Sequence, residues 1–242
     1  MEAIKTVMLT KKYRDVIAVD DLNLQIGRGE LFSLLGVNGA GKTTAIKMLS
    51  CLTKPTSGDA FIMGSSIIDD GEKVRQVIGV SPQETAVAPN LTVMENLELM
   101  CGIYGFSKEK SQRKIKNIAE QFHLNNILFK KAGKLSGGYQ RRVSIAMALI
   151  CEPSIVFLDE PTLGLDVLAR SELWEVIQEL KGKITIILTT HYMEEAETLS
   201  DRIGIMQNGK LLVTGTVHEL IEMTSAVKFE DAFIRIVKEA EK

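Results

Sequence analysis

No apolar run in this chain approaches the ~18 residues that cross a bilayer; the longest, Ile145 to Cys151, is seven. The chain is not expected to span a membrane by itself. Its start, Met-Glu-Ala-Ile-Lys, enters alternating sequence without a signal-peptide apolar core, which predicts that it is not exported. Cysteine is scarce and odd in number: Cys51, Cys101 and Cys151 form no CxxC pair, which speaks against a disulfide framework or a zinc site. Reduced thiols acting as small buried hydrophobes in a cytosolic protein are expected instead. A charge of one sign is lacking too. Lys plus Arg (29) nearly cancels Asp plus Glu (31), and the net charge of −2 gives no overall field for a nucleic-acid backbone, so no nucleic-acid partner is expected. Repeats of 20–50 residues and low-complexity tracts are absent, which argues against solenoids and linkers.

What is present is a chain of 242 residues, 45% apolar and 25% charged, the composition of a globular protein and long enough for one domain with subdomains. Leu22, Leu24 and Ile26 alternate with polar residues as in a half-buried strand, and early antiparallel strands are expected. Leu31 to Leu35 reads as a strand, Gly36 begins a glycine loop, and Lys42 to Leu49 reads as a helix. Further strands are expected at Val77 to Val80, Ile155 to Leu158 and Ile184 to Leu188, with helices between some of them. Strands alternating with helices imply a mainly parallel sheet covered on both faces, an α/β fold. Residues from about 91 to 132 read as a helical insert, and its crowd of Lys108, Lys110, Arg113, Lys114 and Lys116 reads as a solvated face. Val143, Ala146, Met147 and Ile150, then Leu173, Val176, Ile177 and Leu180, follow helical spacing and mark core-facing helix sides.

Three segments carry chemistry. Gly36-Val37-Asn38-Gly39-Ala40-Gly41-Lys42-Thr43 fits G-x-x-x-x-G-K-[ST] between a strand and a helix, where that motif cradles phosphate. Glycines let successive backbone N–H groups point inward, and the helix adds its positive end. Lys42 is placed to bridge phosphates and Thr43 to offer a hydroxyl to Mg²⁺. A Lys–phosphate pair near 3 Å is worth roughly 5 kcal/mol at an effective dielectric of about 20, before desolvation. Asp159 and Glu160 close a buried strand, where open α/β sheets place ligands: Asp159 suits Mg²⁺, and Glu160 suits polarising a water for attack on a γ-phosphate. Ser136-Gly137-Gly138, with Ser136 as N-cap, makes a second helix end able to face phosphate.

Ser-Gly-Gly-x-Gln, together with the glycine loop and the Asp-Glu strand, resembles the ATP-binding cassette proteins over nearly the whole chain. The resemblance implies a P-loop NTPase core in three layers, with an N-terminal antiparallel β-subdomain and an inserted α-helical subdomain. On that pattern residues 1–83 and 154–242 form the nucleotide-binding core, and 84–153 the helical subdomain. ATP and Mg²⁺ are the implied cofactors. Gly36, Asn38, Gly39, Ala40, Gly41, Lys42, Thr43 and Thr44 correspond to the phosphate loop, while Tyr13 resembles the aromatic that stacks on adenine. Gln83, Thr43 and Asp159 correspond to the Mg²⁺ positions. Gln83 also resembles the glutamine that senses the attacking water, and His191 the histidine at the γ-phosphate, so Glu160, His191 and Gln83 form the implied catalytic set. Leu91 to Leu97 continues the likeness, and Asp166, in Thr162-Leu163-Gly164-Leu165-Asp166, resembles the loop touching the opposite subunit.

The family pattern further implies a head-to-tail dimer, with a copy or a paralogue, in which Ser136, Gly137 and Gly138 of one subunit close on the nucleotide held by Lys42 of the other. A separate transmembrane permease is the implied partner, and the cytoplasmic face of the membrane the implied location. Val37 departs from the proline of many members, and Gly164 from the commonest alanine. Phe229-Glu230-Asp231-Ala232-Phe233 resembles a C-terminal motif of drug, lantibiotic and ion exporter cassettes. The expected function is therefore ATP hydrolysis driving an exporter. The alternatives are a soluble cassette ATPase without a membrane subunit, a different phosphate-loop enzyme such as a small-molecule kinase, and a regulatory subunit that binds ATP but barely hydrolyses it.

Overall fold

A computed structural model of the chain describes residues 2–240. Strands β1 (Glu2–Tyr13), β2 (Val16–Leu22), β3 (Gln25–Gly27) and β4 (Leu31–Leu35) precede helix α1 (Lys42–Leu49). Then come β5 (Ser57–Ile62), β6 (Ser65–Ser66), α2 (Gly71–Val77) and β7 (Ile78–Ser81). Three helices follow without a strand between them, α3 (Val93–Ile103), α4 (Lys108–Gln121) and α5 (Gly137–Leu149). The chain returns through β8 (Ile155–Asp159), α6 (Val167–Leu180), β9 (Thr185–Thr190), α7 (Met193–Leu199), β10 (Arg202–Gln207) and β11 (Lys210–Gly215), and ends in α8 (Val217–Thr224) and α9 (Phe229–Glu239).

Two sheets result. The N-terminal one has the order β2-β1-β5-β6, with β3 also on β1, and is antiparallel throughout. The central one has the order β11-β10-β4-β9-β8-β7, and every pairing in it is parallel except β10 with β11. This is the α/β class expected from the alternation of strands and helices. The central strands are buried on both faces, and the two-residue period of a strand divides them cleanly. Val156, Leu158, Ile186 and Leu188 face one core with α3 to α6; Ile155, Phe157 and Ile187 face another with α1 and the N-terminal sheet. A smaller core joins Leu35 and β10 to α8 and α9.

Four sequence expectations change. Leu22, Leu24 and Ile26 are buried as expected, yet they do not form one strand: β2 ends at Leu22 and β3 begins at Gln25. Across the break one backbone bond remains, Thr6 N donating to Leu24 O at 2.8 Å, and side chains supplement it: Asn23 Oδ1 accepts from Met8 N at 2.9 Å and Thr6 Oγ1 accepts from Leu24 N at 2.7 Å. The basic face of α4 is not wholly solvated. Lys114 is buried, pairs with Glu152 at 2.7 Å and lies over the Phe106 ring, its long stem covering apolar surface. Of the cysteines only Cys101 is buried; Cys51 and Cys151 are half-exposed. Finally, α5 is not amphipathic: from Arg141 to Leu149 every residue is buried, because the helix runs between α3, α4, α6 and the sheet.

Candidate functional site

The parallel strands set the site, because their carboxyl ends lie side by side. Gly36 follows β4, Asp159 ends β8 and Thr190 ends β9. Gly36 to Gly41 curls around this edge. The curl needs glycine at two crowded places: a Cβ on Gly36 would lie 2.3 Å from Met206 O, and one on Gly41, at φ +102°, would lie 2.3 Å from Ala18 O. Ala40 N donates to Val37 O, and Gly209 N donates back to Ala40 O, so the turn after β10 braces the loop. Gly41 is the N-cap of α1, whose positive end therefore opens into the loop.

Lys42 is buried, and its ammonium donates to Gly36 O at 2.7 Å and Val37 O at 3.3 Å and pairs with Glu160 Oε1 at 3.2 Å. The other Glu160 oxygen meets His191 Nδ1 at 2.6 Å. Lys42, Glu160 and His191 thus form one continuous polar chain. Glu160 is also buried and sits at φ +50°, a left-handed conformation that costs a non-glycine residue about 1–2 kcal/mol. Its N–H, donated to the Thr189 carbonyl and to Thr189 Oγ1, both at 3.1 Å, holds that conformation in place. Such strain is typical where a side chain must be aimed.

Beside this chain lies an oxygen cluster. Thr189 Oγ1 donates to Asp159 Oδ1 at 2.5 Å, and Thr43 Oγ1 donates to the same atom at 3.1 Å. Hydroxyl and carboxylate oxygens are what Mg²⁺ prefers, and it takes few protein ligands because it keeps water and substrate phosphates. No cluster of three or more His, Cys, Asp or Glu able to hold a metal occurs among the described residues.

A cavity of about 610 Å³ gathers Asn38, Gly39, Ala40, Gly41, Lys42, Thr43, Thr44, Gln83, Glu160 and His191. Its remaining wall includes Val16, Ala18 and Asn208. Asp159 lies beneath, bonded to Thr43, and Gly36 lies at the root of the loop. Tyr13 stands at the rim, paired across the hairpin with Val16, 46% exposed and with the Lys11 ammonium over its ring. Ser136, Gly137, Gly138 and Asp166 are not in this cavity. Ser136 caps α5, accepting from Tyr139 N, and Asp166 caps α6, accepting from Ala169 N at 2.9 Å. The two caps are neighbours, since a Cβ on Gly138 would come within 2.9 Å of Ala169 Cβ. A different cavity of about 630 Å³ opens at the amino ends of the strands, by Gly29, Ser154 and Thr185.

Sequence reading missed Thr189, Asn208 and Arg141. Arg141 is buried on α5 and donates to Pro82 O at 2.7 Å and Gln83 O at 2.5 Å, fixing the Gln83 backbone to the helix that Ser136 begins. Burial pushes the Arg141 pKa down, while the charges of Asp159 and Glu195 favour the cation. The Arg141-Arg142 pair leading into apolar helix positions was the available signal.

Residues 19–163 match the sequence model of the ABC transporter family. The chain is 40% identical over 240 residues to the probable multidrug ABC transporter ATP-binding protein YbhF of Escherichia coli, covering 97% of this chain but 41% of that protein. It is 41% identical over 214 residues to the Nod factor export ATP-binding protein I of Burkholderia lata, covering 88% of this chain and 70% of that one. Among solved structures, the ATP-binding cassette MJ0796, as a post-hydrolysis dimer bound to ADP and Pi, matches with a TM-score of 0.80 and 30% identity over 88% of this chain and 98% of that one.

Proposed function

The chain belongs to the ABC transporter family, as an ATP-binding domain, and from that premise we propose that it hydrolyses ATP at a site completed by a second subunit and passes the resulting motion to a separate membrane permease. The observation that carries this reading is the polar chain Lys42–Glu160–His191, set in one cavity with the glycine loop while Ser136 to Gly138 lie outside it. The loop N–H groups and Lys42 bind the triphosphate. Its charge competes with Glu160 for the Lys42 ammonium, and a released Glu160 is free to take a proton from water while His191 holds its other oxygen. Thr43, Asp159 and Gln83 would hold Mg²⁺, which when bound neutralises charge on the phosphate oxygens. The dimeric state of the MJ0796 structure supports a second subunit, and the export named for the Nod factor protein supports an exporter. No helix among the described residues is long and apolar enough to cross a membrane; the transporter names of the relatives support placing the chain at the cytoplasmic face, against a permease.

Substituting Glu160→Gln tests this. The variant is expected to bind ATP as the wild type does, to lose at least a hundredfold in turnover, and to accumulate as an ATP-dependent dimer in light scattering. Normal turnover removes Glu160 from the base role, and a variant that stays monomeric at saturating ATP with the permease present removes the shared site.

A further inference from the structure

Helix α7 carries a carboxylate that the reaction outlined above leaves unused. Glu195 is 0% exposed. Its Oε1 accepts from Trp174 Nε1 of α6 at 3.1 Å. Burial raises the pKa of this carboxyl, while the nearby hydroxyls of Thr190, ending β9, and Thr162, just past Glu160, and the indole favour its charged form; Glu195 Oε2 and the buried Thr162 Oγ1 close no hydrogen bond. Glu160 is near enough for its charge to push in the same direction as burial. An apolar side chain would avoid that desolvation cost, so stability alone explains this glutamate poorly.

A second line of contacts runs alongside. The His191 and Tyr192 rings lie 4.1 Å apart, and the Arg170 guanidinium sits over Tyr192 at 6.0 Å and over Trp174 at 5.4 Å. Arg170 also pairs with Glu194 at 3.6 Å. Both lines join α6 to the segment holding His191. The other end of α6 begins at Asp166 and is open: Val167 is 69% and Leu168 76% exposed.

We propose that Glu195 is a positioning residue: by accepting from the Trp174 indole, it fixes α6 against the start of α7 and so against the loop carrying His191. A displacement of the Asp166 end of α6 then reaches His191 through Trp174, Arg170 and Tyr192. This rests on the functional reading given above. Trp174 is the only tryptophan in the chain, so its emission reports on this contact directly.

The experiment measures ATP turnover with the permease present, using Lys42→Ala as the blank, and follows tryptophan emission as ATP is added. Glu195→Ala is expected to lower kcat at least tenfold with KM for ATP within twofold of wild type, and to abolish the ATP-induced emission change. Glu195→Gln keeps an acceptor for the indole, and is expected to recover kcat to within threefold. A Glu195→Ala variant with kcat within twofold of wild type overturns the proposal, as does a folded Glu195→Gln no better than alanine. If Glu195→Ala does not fold, Trp174→Phe, which deletes the indole donor alone, carries the test: kcat reduced at least threefold at unchanged KM supports the proposal, and unchanged kcat overturns it. A wild type without Lys42-dependent turnover overturns the functional reading itself, and this proposal with it.

Discussion

Two helix starts in this molecule present backbone N–H groups and glycine, and they are built differently. At α1 every charged group already has a partner within the same chain: Lys42 with Glu160, Glu160 with His191, Asp159 with Thr43 and Thr189. At α5, Ser136 and Gly137 are exposed, and the structure around them amounts to a cap and a close approach to α6. The first is a closed electrostatic network, and the second is a surface. A surface of that kind gains meaning when another polypeptide supplies the charge it faces, whereas the network works by exchanging one partner for another. The contrast explains why one chain holds both elements without joining them.

The sharpest way to break the contrast is Lys42→Ala. It removes the cation from a buried pair and leaves Glu160 without it, a change that typically costs about 3–5 kcal/mol. ATP binding measured by titration calorimetry is expected to weaken at least a hundredfold, and turnover to fall below detection. Retained binding would show that the network is not the phosphate site. A smaller effect is expected at the other helix start, where Gly137→Leu finds open space, its nearest neighbour being Leu165 Cδ2 at 4.0 Å from the new Cβ. This variant is expected to melt within 2 °C of wild type by calorimetry and to bind ATP normally, while losing at least tenfold in turnover. Gly138→Leu, by contrast, meets Ala169 and is expected to destabilise the fold as well. Equal melting of the two variants would erase the distinction between a surface and a packed turn.

The network was more legible in the sequence than the framework around it. Gly36 to Thr43, Asp159, Glu160 and His191 belong to motifs whose spacing reflects local geometry, so their convergence followed once the strands were ordered. Lys114 and Thr189 were not legible, because their surroundings come from distant segments: Glu152 for one, Asp159 for the other. The break between β2 and β3 was hidden for a related reason. Alternation records which side chains are buried, and it survives when Thr6 and Asn23 side chains take over part of the strand's hydrogen bonding. Alternation does not record whether the ladder is continuous. Helix α5 misled in the opposite direction, since helical spacing of apolar residues is also found on a helix buried all round.

Both helix starts at issue lack the full reciprocal cap found at α8, which provides the weakest and cleanest control. Thr216 Oγ1 accepts from Glu219 N at 3.2 Å, and Glu219 Oε2 accepts from Thr216 N at 2.7 Å. The backbone N–H and hydroxyl of Thr216 hold the Glu219 carboxyl below its usual pKa. A depressed folded-state pKa means that the cap's contribution is complete above the unfolded value, about 4.3, and is lost as pH falls through the lower folded one. Thr216→Ala is therefore expected to cost about 1 kcal/mol at pH 7, with turnover unchanged, and the difference from wild type in urea midpoints is expected to shrink as the acid range is entered. A pH-independent difference would mean that the hydroxyl alone caps α8, without its carboxylate partner. An effect on turnover would mean that stability at α8 and chemistry at Lys42 are linked, which the separate core beneath α8 and α9 argues against.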